Sequence, residues 1–281
     1  VNGVTTSTLT LPKFTSFISE AIDDVNYTFL TTDSTTVNVT SNTATFTDIV
    51  ISQGISSSYS YTYNSTNNPK QLFEIPDSAV DTSTMIVSVQ ESSSNSASVT
   101  YNLSTDYIDL TPTSTVYFLE EGMNGKYKIY FGDGYIGKKI NDGAVVTVTY
   151  LSTSGSLANK ASAFTVGSDL GAAYTITVDT ASVASGGAGR ETVSEIKYNA
   201  SSQFATQNRL VTFKDYEAYI TRNYPQLSSI SVWGGEDQIP PVYGKVFVSI
   251  KPKEGYYLSQ FEKQRILAKV LYPTFRKDGE L

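Results

Sequence analysis

The sequence predicts an α+β fold that is mainly β, with antiparallel β domains followed by a smaller α+β domain. Short alternating runs separated by Gly, Pro and Asn-Ser clusters continue to about residue 180 and are typical of strands. Helix-start patterns follow residue 190. A Gly-rich stretch, SVASGGAGRET (182–192), separates the two kinds of sequence. We therefore expect a β-rich domain over 1–110, a β domain over 111–185, and an α+β domain over 186–281 joined by a glycine hinge.

The alternating runs of the first two domains each carry polar Ser and Thr on one face and apolar residues on the other. The predicted strands are STLTL (7–11), TVNVT (36–40), MIVSVQ (85–90), SVTYNL (98–103), STVYFLE (114–120), KYKIYF (126–131), GAVVTVTYL (143–151) and AAYTITVDT (172–180). Helix patterns are nearly missing from this part of the chain. The first 180 residues are therefore expected to be overwhelmingly β.

The last domain is predicted to run helix, helix, strand, strand, helix. Each helix begins with a capping-box pattern, in which a hydroxyl accepts from a free backbone N–H and an acid three residues later reaches back. The three pairs are Thr192 with Glu195, Thr212 with Asp215, and Ser259 with Glu262. The strands are LSSISVW (227–233) and GKVFVSI (244–250). In the final helix Ile266, Leu267, Val270 and Leu271 form a buried stripe that Pro273 ends.

Composition restricts the chemistry of this chain of 281 residues. It contains no Cys and no His, so a His-assisted nucleophile, a thiolate, a disulfide and an ordinary zinc site are excluded within it. The net charge of −7 argues against a nucleic-acid partner, because phosphate binding needs clustered Lys and Arg. No apolar run is long enough to insert into a membrane. The start without Met indicates a piece of a longer polypeptide.

The stretch IYFGDGYIGKKI (129–140) contains Gly132, Gly134 and Gly137 in the spacing of a dinucleotide fingerprint. That fingerprint works only where the glycines lead into a helix, and here a β-branched strand follows. We therefore predict a tight hairpin in which glycines supply positive φ, with no cofactor. Its structural turn residues are Gly132, Asp133, Gly134, Gly137 and Gly143. Calcium binding by Asp133, Asn141 and Asp142 is the weaker alternative to Asx turns, so no metal site is predicted.

Two alternatives to a structural role stay open at this stage. Tyr59, Tyr61 and Tyr63 alternate in SYSYTYN, so they share one strand face that could stack on sugars, although a core-facing row is favoured. A carboxylate hydrolase needs no His, and the acids for it could come from three pairs. These pairs are Asp23 with Asp24, Glu120 with Glu121, and Asp106 with Asp109. Adjacent acids on a strand point to opposite faces, which disfavours this reading.

An ordered series of motifs resembles the baseplate J-like family of contractile phage tails, and most closely its inner-ring wedge subunits from T-even-type phages. The series consists of LTLPKFTSFIS, NYTFLTTDS, QLFEIPDSAVDTSTMIVSV, STVYFLEEGMNGKYKIYFGDGYIGKKINDGAVVTVTY, GGAGRETVSEIKYNA and NRLVTFKDYEAYITRNYPQLSSISVW. The F-G-D-G turn with its V-T-V-T-Y strand and the V-T-x-x-D-Y-E helix start are the most diagnostic. The resemblance covers nearly the whole chain, and the family's amino-terminal region and final strands are expected to be missing.

The resemblance implies a structural virion protein without a catalytic site. Family members pair within a wedge, and six wedges close into a ring around the hub, which rearranges when the sheath contracts. Self-association as a dimer and ring is therefore expected, together with other wedge and hub proteins as partners. The implied location is the tail baseplate, with assembly in the host cytoplasm.

The segment from about residue 186 to the end is predicted to be a major assembly surface. Its loop WGGEDQIPPVYG exposes Trp233, Pro240, Pro241 and Tyr243 on a single connection between two strands. Trp and Tyr are enriched where interfaces are desolvated, so these four residues are the candidate interface. The alternative is that the loop folds back onto its own domain and that Trp233 is a core residue at a strand end.

Overall fold

The computed structural model describes residues 1–105, 107–122, 124–168, 174–206, 210–224, 226–253 and 257–268. The strands are β1 (Thr8–Leu11), β2 (Ser16–Ser19), β3 (Thr28–Thr31), β4 (Thr35–Asn38), β5 (Ile51–Gln53), β6 (Ile55–Thr62), β7 (Leu72–Glu74), β8 (Val80–Gln90), β9 (Ser98–Leu103), β10 (Val116–Glu121), β11 (Tyr127–Phe131), β12 (Val145–Ser152), β13 (Phe164–Val166), β14 (Leu227–Gly234) and β15 (Val246–Pro252). The helices are α1 (Val193–Thr206), α2 (Phe213–Asn223) and α3 (Gln260–Ile266), with 3-10 turns at Gly155–Ala158 and Gly235–Asp237.

A seven-stranded sheet forms the largest part of the molecule, in the order β6-β12-β8-β9-β10-β11-β7. All of its strand pairs are antiparallel except the short parallel pair of β9 and β10. Alternate residues of these strands point to one face and bury a common core. This core includes Ile75, Val87, Ile129, Val146 and Val148, each fully buried.

The amino-terminal part adds two smaller sheets. A four-stranded sheet has the order β13-β2-β3-β5, and β1 pairs with β4 in a two-stranded ribbon. Phe17 and Phe29 of the four-stranded sheet pack with Ala158 and Ala161, which follow β12 in the chain. Phe29 also meets Phe164 of β13 edge to face, with the ring centroids 5.0 Å apart. Residues far apart in sequence therefore build this second core.

The carboxy-terminal unit has the predicted element order. Its core joins Ile220 and Tyr224 at the end of α2, Leu227 at the start of β14, and Ile266 of α3. In the described part of the chain the α-helices all lie after residue 190, and the strands dominate before it. The predicted fold class, mainly β with several antiparallel sheets and a small helical region, is confirmed.

Two secondary-structure predictions are wrong in the structure, and a third lies partly outside the described residues. In the described residues 174–180 only a bridge from Thr175 to Asn2 forms, so a strand over AAYTITVDT is wrong there. The last helix begins as predicted, whereas Val270, Leu271 and Pro273 lie outside the described residues. The tight hairpin at Gly132–Gly143 is also wrong, because β11 pairs with β10 and β7 while β12 pairs with β8 and β6.

The three-part division of the chain stays a prediction. Strands β9 and β10 pair with each other across residue 110, so a boundary at that residue passes between two paired strands of one sheet. The connection from β11 to β12 likewise spans the sheet, because β12 lies near the opposite edge. Long-range pairing of this kind leaves little trace in local sequence patterns.

Candidate assembly surface

The carboxy-terminal unit begins with a well-capped helix. Thr212 lies in extended conformation before α2 and accepts a hydrogen bond from the backbone N–H of Asp215, whose carboxylate accepts from the N–H of Thr212 at 2.8 Å. Thr192 and Glu195 make the same reciprocal pair at the start of α1. These bonds satisfy backbone donors that a helix leaves unpaired at its first turn. The first two predicted capping boxes are therefore present.

The third helix start uses its acid differently. Ser259 accepts from the backbone N–H of Glu262 as predicted. The carboxylate of Glu262 instead accepts a hydrogen bond of 3.0 Å from the phenol of Tyr224. Both side chains are buried, and burial together with the neighbouring carboxylate raises the pKa of Tyr224 above its ordinary value. The bond ties the end of α2 to α3.

The ribbon of β14 and β15 has two different faces. Ile230, Val248 and Ile250 pack into the helix-covered core. Trp233 pairs directly with Phe247 across the two strands, and alternation along each strand places both on the opposite face. Their rings stack with centroids 6.1 Å apart and an interplanar angle of 14°. Trp233 was predicted to be either an interface residue or a core residue at a strand end. It is half-buried, so it packs against its own ribbon and is also partly exposed to solvent.

The loop after Trp233 is held in shape by its backbone. The N–H of Gly235 donates to the carbonyl of Lys245, and the N–H of Val242 donates to the carbonyl of Gly235, both at 2.8 Å. Gly235 is buried, and a Cβ there would overlap the Val242 carbonyl oxygen. The two ends of the loop are thus fixed to each other at the tip of the ribbon.

The fixed loop presents apolar side chains to solvent. Ile239 is 99% exposed and Tyr243 is 79% exposed. Pro240 and Pro241 are also exposed, and the Ile239–Pro240 peptide bond is cis. Exposed apolar clusters of this kind mark interaction sites. The sequence prediction named both prolines and Tyr243 but missed Ile239. Its position directly before two prolines in a loop was the signal that could have indicated it.

The predicted glycine hinge is closely packed in this structure. Asn159 donates through Nδ2 to the carbonyl of Gly187 at 2.8 Å and accepts from the N–H of Gly187 at 3.0 Å. A Cβ at Gly187 would overlap the carbonyl of Gly155, and a Cβ at Gly186 would overlap the side-chain amide of Gln226. Gly187 is therefore required for close backbone approach, whereas Gly186 has a φ of +95°, which L side chains rarely adopt. No local sequence pattern indicates these contacts, because Asn159 and Gln226 are distant from the glycines in the chain.

The FGDG segment forms a loop closed by a hydrogen bond from the N–H of Gly134 to the carbonyl of Gly137. Gly134, Gly137 and Gly143 have φ of +93°, +82° and +80°, as the turn prediction requires. Gly132 does not have positive φ, but a Cβ on it would overlap the backbone of Gly137. The element that follows is β12 and not a helix, so the loop lacks the geometry of a dinucleotide site.

The three side chains considered for calcium binding, Asp133, Asn141 and Asp142, each make a different hydrogen bond in the loops. Asp133 Oδ1 accepts from the N–H groups of Tyr135 and Ile136, which is an Asx turn and lowers the pKa of this carboxyl. Asp142 Oδ1 accepts from the N–H of Ser65, and Asn141 donates to Glu91. Among the described residues, no group of three or more His, Cys, Asp or Glu side chains is placed to hold a metal ion.

The tyrosine row of β6 is mostly core. Tyr63 is buried, and Tyr61 packs on Phe73 with ring centroids 5.2 Å apart and donates to the carbonyl of Glu74. Only Tyr59 of the three is substantially exposed, at 44%. One exposed ring is a small platform for a sugar, so the favoured core-facing reading describes this row.

The described acids considered for a hydrolase lie in turns or at the end of a strand. Asp23 and Asp24 occupy a turn at positive φ, between Ile22 and Val25, which exchange backbone hydrogen bonds. Glu121 forms an ion pair with Arg190 at the surface. The pair of Asp106 with Asp109 cannot be placed, since residue 106 lies outside the described residues.

No helix in the described part of the chain combines the length and apolar character needed to cross a membrane.

Two comparisons link this fold to phage baseplates. Residues 212–272, which span the capped helix α2, the ribbon with its exposed loop, and α3, match the family model of baseplate structural protein gp6, C-terminal domain I. That model describes a structural component of a baseplate.

The curated relative is more specific. The chain is 28% identical over 176 residues to baseplate wedge protein gp6 of Enterobacteria phage T4. The alignment covers 55% of this chain and 26% of the relative, so the chain spans about a quarter of the length of that protein. Both comparisons thus support a similarity to baseplate wedge subunits, whereas membership of the wider baseplate J-like family stays a prediction.

Proposed function

We propose that this chain is part of a structural subunit of a contractile phage tail baseplate wedge. In this proposal it contributes to the inner ring around the hub and takes part in the rearrangement that triggers sheath contraction. The observation that carries the proposal is the match of residues 212–272 to a baseplate structural domain, together with the wedge-protein similarity over 176 residues. The motif series in the sequence points to the same class of protein.

The proposed role is assembly and not catalysis. The side chains that suggested chemistry are engaged in the fold: Asp133 caps a loop, Tyr61 packs in the core and Glu121 pairs with Arg190. Symmetric structural proteins need large, repeated contact surfaces in place of an enclosed site. We therefore propose no cofactor, no nucleic-acid partner and no membrane insertion.

The proposed partners are further copies of the same subunit, as a dimer and in a ring, and other wedge and hub proteins. The proposed location is the tail baseplate of the virion, with assembly in the host cytoplasm. The exposed apolar tip of the β14–β15 ribbon, defined by Ile239, Pro240, Pro241 and Tyr243, is the proposed contact surface. Tyr and Trp are enriched at interface hot spots, and this ribbon carries the exposed Tyr243 and the half-buried Trp233.

Substitution at the ribbon tip tests this role. We expect Tyr243→Ala to reduce co-assembly with partner wedge proteins at least tenfold while thermal stability is unchanged, because Tyr243 is exposed in the isolated chain. Trp233→Ala is expected to lower both co-assembly and thermal stability, since Trp233 also stacks on Phe247. Tyr257→Ala, at a residue 90% exposed and outside the tip, is the matched control.

Two quantities are measured. Sedimentation with partner wedge proteins gives the mass of the complex, and thermal unfolding of the isolated chain gives the melting temperature. Unchanged assembly in both Tyr243→Ala and Trp233→Ala would overturn the proposed contact surface. A chain that joins no complex with any wedge or hub protein would overturn the structural role itself.

A further inference from the structure

A cavity of about 930 Å³ lies beside the four-stranded sheet and reaches the carboxy-terminal unit. Two chain segments line it, which we call the first wall (residues 45–49) and the second wall (residues 176–183). Phe17, Phe29 and Phe164 of the four-stranded sheet line it as well. This volume lies in the upper part of the range for ligand pockets, so the cavity can hold a sizeable group.

Both walls start beside the same short extended segment at the amino end of the chain. The N–H of Ala44 donates to the carbonyl of Val1 at 2.9 Å. Asn2 and Thr175 exchange backbone hydrogen bonds of 2.8 and 3.2 Å, and Asn2 also forms an antiparallel bridge with Thr43. Because Asn2 lies between its two partners, the walls leave it in the same direction, separated by the width of one strand, about 9.5 Å from wall to wall.

The walls keep the side-chain alternation of strands but have no partner strand. Among the described residues, none makes a backbone hydrogen bond to either wall. Phe46 and Val178 are half-buried, whereas the neighbouring Thr45 and Thr177 are exposed. The alternation that predicted a strand in AAYTITVDT is therefore present in its described part, without a partner to pair with. Two such unpaired segments, one strand-width apart, form a slot for an inserted strand.

A buried acceptor in the same cavity also lacks a donor. Gln226 lines the cavity, and its Oε1 atom is buried and accepts no hydrogen bond from any residue that the structure describes. Buried polar atoms without a partner are uncommon in folded proteins, so this oxygen indicates a donor from outside the described chain. The backbone N–H groups of a peptide are donors of this kind.

The charged groups that line the cavity are mostly acidic. They are Asp48, Asp81, Asp179 and Glu262, against Arg265 and the amino terminus of Val1. Asp48 and Asp179 are exposed and make no ion pair with any described residue. An acidic lining attracts a segment that carries Lys or Arg.

We propose that an extended strand of a partner polypeptide, with alternating apolar residues and a Lys or Arg, inserts between the two walls. It runs antiparallel to both walls and gives each the backbone partner that it lacks. Its residue opposite Phe46 and Val178 is apolar and points inward. The residue before that one lies between Thr47 and Asp179 and is basic. The slot lies near Gln226, directly before β14, whereas the ribbon tip follows β14, so the inference goes beyond the proposed function.

A synthetic peptide with blocked ends, Ser-Val-Thr-Val-Lys-Val-Thr, is the probe for this slot. Because the backbone of Ala44 faces Val1, the N–H of Phe46, two residues on, faces the slot. By the same alternation the N–H of Thr177 follows that of Thr175. We expect the peptide to slow amide hydrogen exchange at Phe46 and Thr177 at least tenfold, measured by NMR. The same peptide with every Val N-methylated lacks the N–H donors that face the first wall and should leave both rates unchanged.

Proline substitutions in the second wall test the direction of its backbone groups. Thr177→Pro removes an N–H that faces the slot, whereas Thr180→Pro removes one that faces away, and both threonines are exposed. We expect the affinity for the peptide, measured by calorimetry, to fall at least tenfold in Thr177→Pro and to stay at the parent value in Thr180→Pro.

A charge exchange tests the basic position of the strand. Asp179→Lys should weaken binding of the Lys peptide about tenfold and should strengthen binding of the same peptide with Glu in place of Lys. Glu20→Lys, at an exposed acid that does not line the cavity, is the matched control and should change neither affinity.

Unchanged amide exchange at Phe46 and Thr177 in the presence of the peptide overturns this proposal, and so do equal affinities of Thr177→Pro and Thr180→Pro. Protection that appears only when the same peptide is fused ahead of Val1 also overturns it, because the occupant is then a strand continuous with this chain and not a partner. These measurements use no wedge or hub protein, so their failure leaves the proposed baseplate role to its own test.

Discussion

The phenol of Tyr224 donates a hydrogen bond of 3.0 Å to Oε1 of Glu262, and this bond joins the end of α2 to the first turn of α3. Tyr224 is 3% exposed and Glu262 is 9% exposed. A buried carboxylate is stable only where hydrogen bonds replace its hydration. The contact therefore closes the core of the unit that matches the baseplate domain.

Removing this phenol should destabilise the carboxy-terminal unit. Tyr224→Phe keeps the ring in the core but leaves the buried Glu262 carboxylate with one donor fewer, which typically costs about 1–3 kcal/mol in the free energy of unfolding. Urea unfolding followed by Trp233 fluorescence measures it. Tyr243→Phe, which removes an exposed hydroxyl, should leave stability unchanged. Equal stability of the two variants would contradict this role of the bond.

The glycines of the FGDG loop should respond to substitution in two ways. Gly143→Ala meets no atom within 4 Å and suffers only the strain of positive φ, about 1–2 kcal/mol. Gly132→Ala has ordinary φ, but its Cβ overlaps the backbone of Gly137 and must move the loop. We therefore expect the larger loss of thermal stability in Gly132→Ala. A larger loss in Gly143→Ala would show that φ strain at Gly143 costs more stability than the backbone overlap at Gly132.

Local patterns predicted much of this fold because they arise from local physics. The alternating runs at 85–90 and 98–103 lie in strands, and the run at 143–151 does so from residue 145. The Thr212–Asp215 pair caps α2. Side-chain alternation and capping depend on residues a few positions apart, so local sequence indicates both. The pairing of β12 with β6 and β8 was not predicted. It depends on contacts between distant residues, which sequence periodicity does not encode.

In the candidate surface, too, local features could be predicted from the sequence and long-range contacts could not. Turn chemistry predicted the exposed loop that contains Pro240 and Tyr243, because a Pro-Pro segment cannot continue a paired strand. The stacking of Trp233 on Phe247 depends on the register of two strands, so the sequence left its position open between core and interface.

Alkaline pH should weaken the large sheet through Tyr61. Burial in the core, with smaller contributions from Tyr59, Tyr150 and Glu74, raises the pKa of Tyr61 to about 12 from an ordinary value of 10.0. A raised folded-state pKa contributes stability that is complete below pH 10 and is lost as pH rises toward 12.

We expect Tyr61→Phe to flatten the fall of stability between pH 10 and 12, because it removes the buried ionising group. The high-pH component of phenolate absorbance in the native protein should correspondingly decrease by the contribution of one tyrosine, while Tyr130, whose pKa is also raised, continues to contribute. Tyr135→Phe, at an exposed residue, is the control and should leave the fall of stability between pH 10 and 12 unchanged. A variant curve that overlies that of the parent chain would assign the high-pH transition to other tyrosines.

The contact of Asn159 with Gly187 should govern access to the segment before α1. Gly187 lies three residues before Arg190. The two hydrogen bonds of 2.8 and 3.0 Å hold Gly187 against Gly155. Each bond contributes about 1 kcal/mol, so their loss in Asn159→Ala should raise the open population roughly tenfold or more. Trypsin cleavage after Arg190 under native conditions follows that population when reclosing is fast.

We therefore expect the initial cleavage rate at Arg190 to rise about tenfold in Asn159→Ala, with the released fragments identified by mass. Asn67→Ala, at an exposed asparagine in a distant loop, should cleave at the rate of the parent chain. Global stability, measured in parallel, separates local opening from unfolding of the whole chain. If Asn159→Ala is cleaved at the parent rate, the segment opens by a motion that does not break these bonds, and the glycines behave as the free hinge that the sequence predicted.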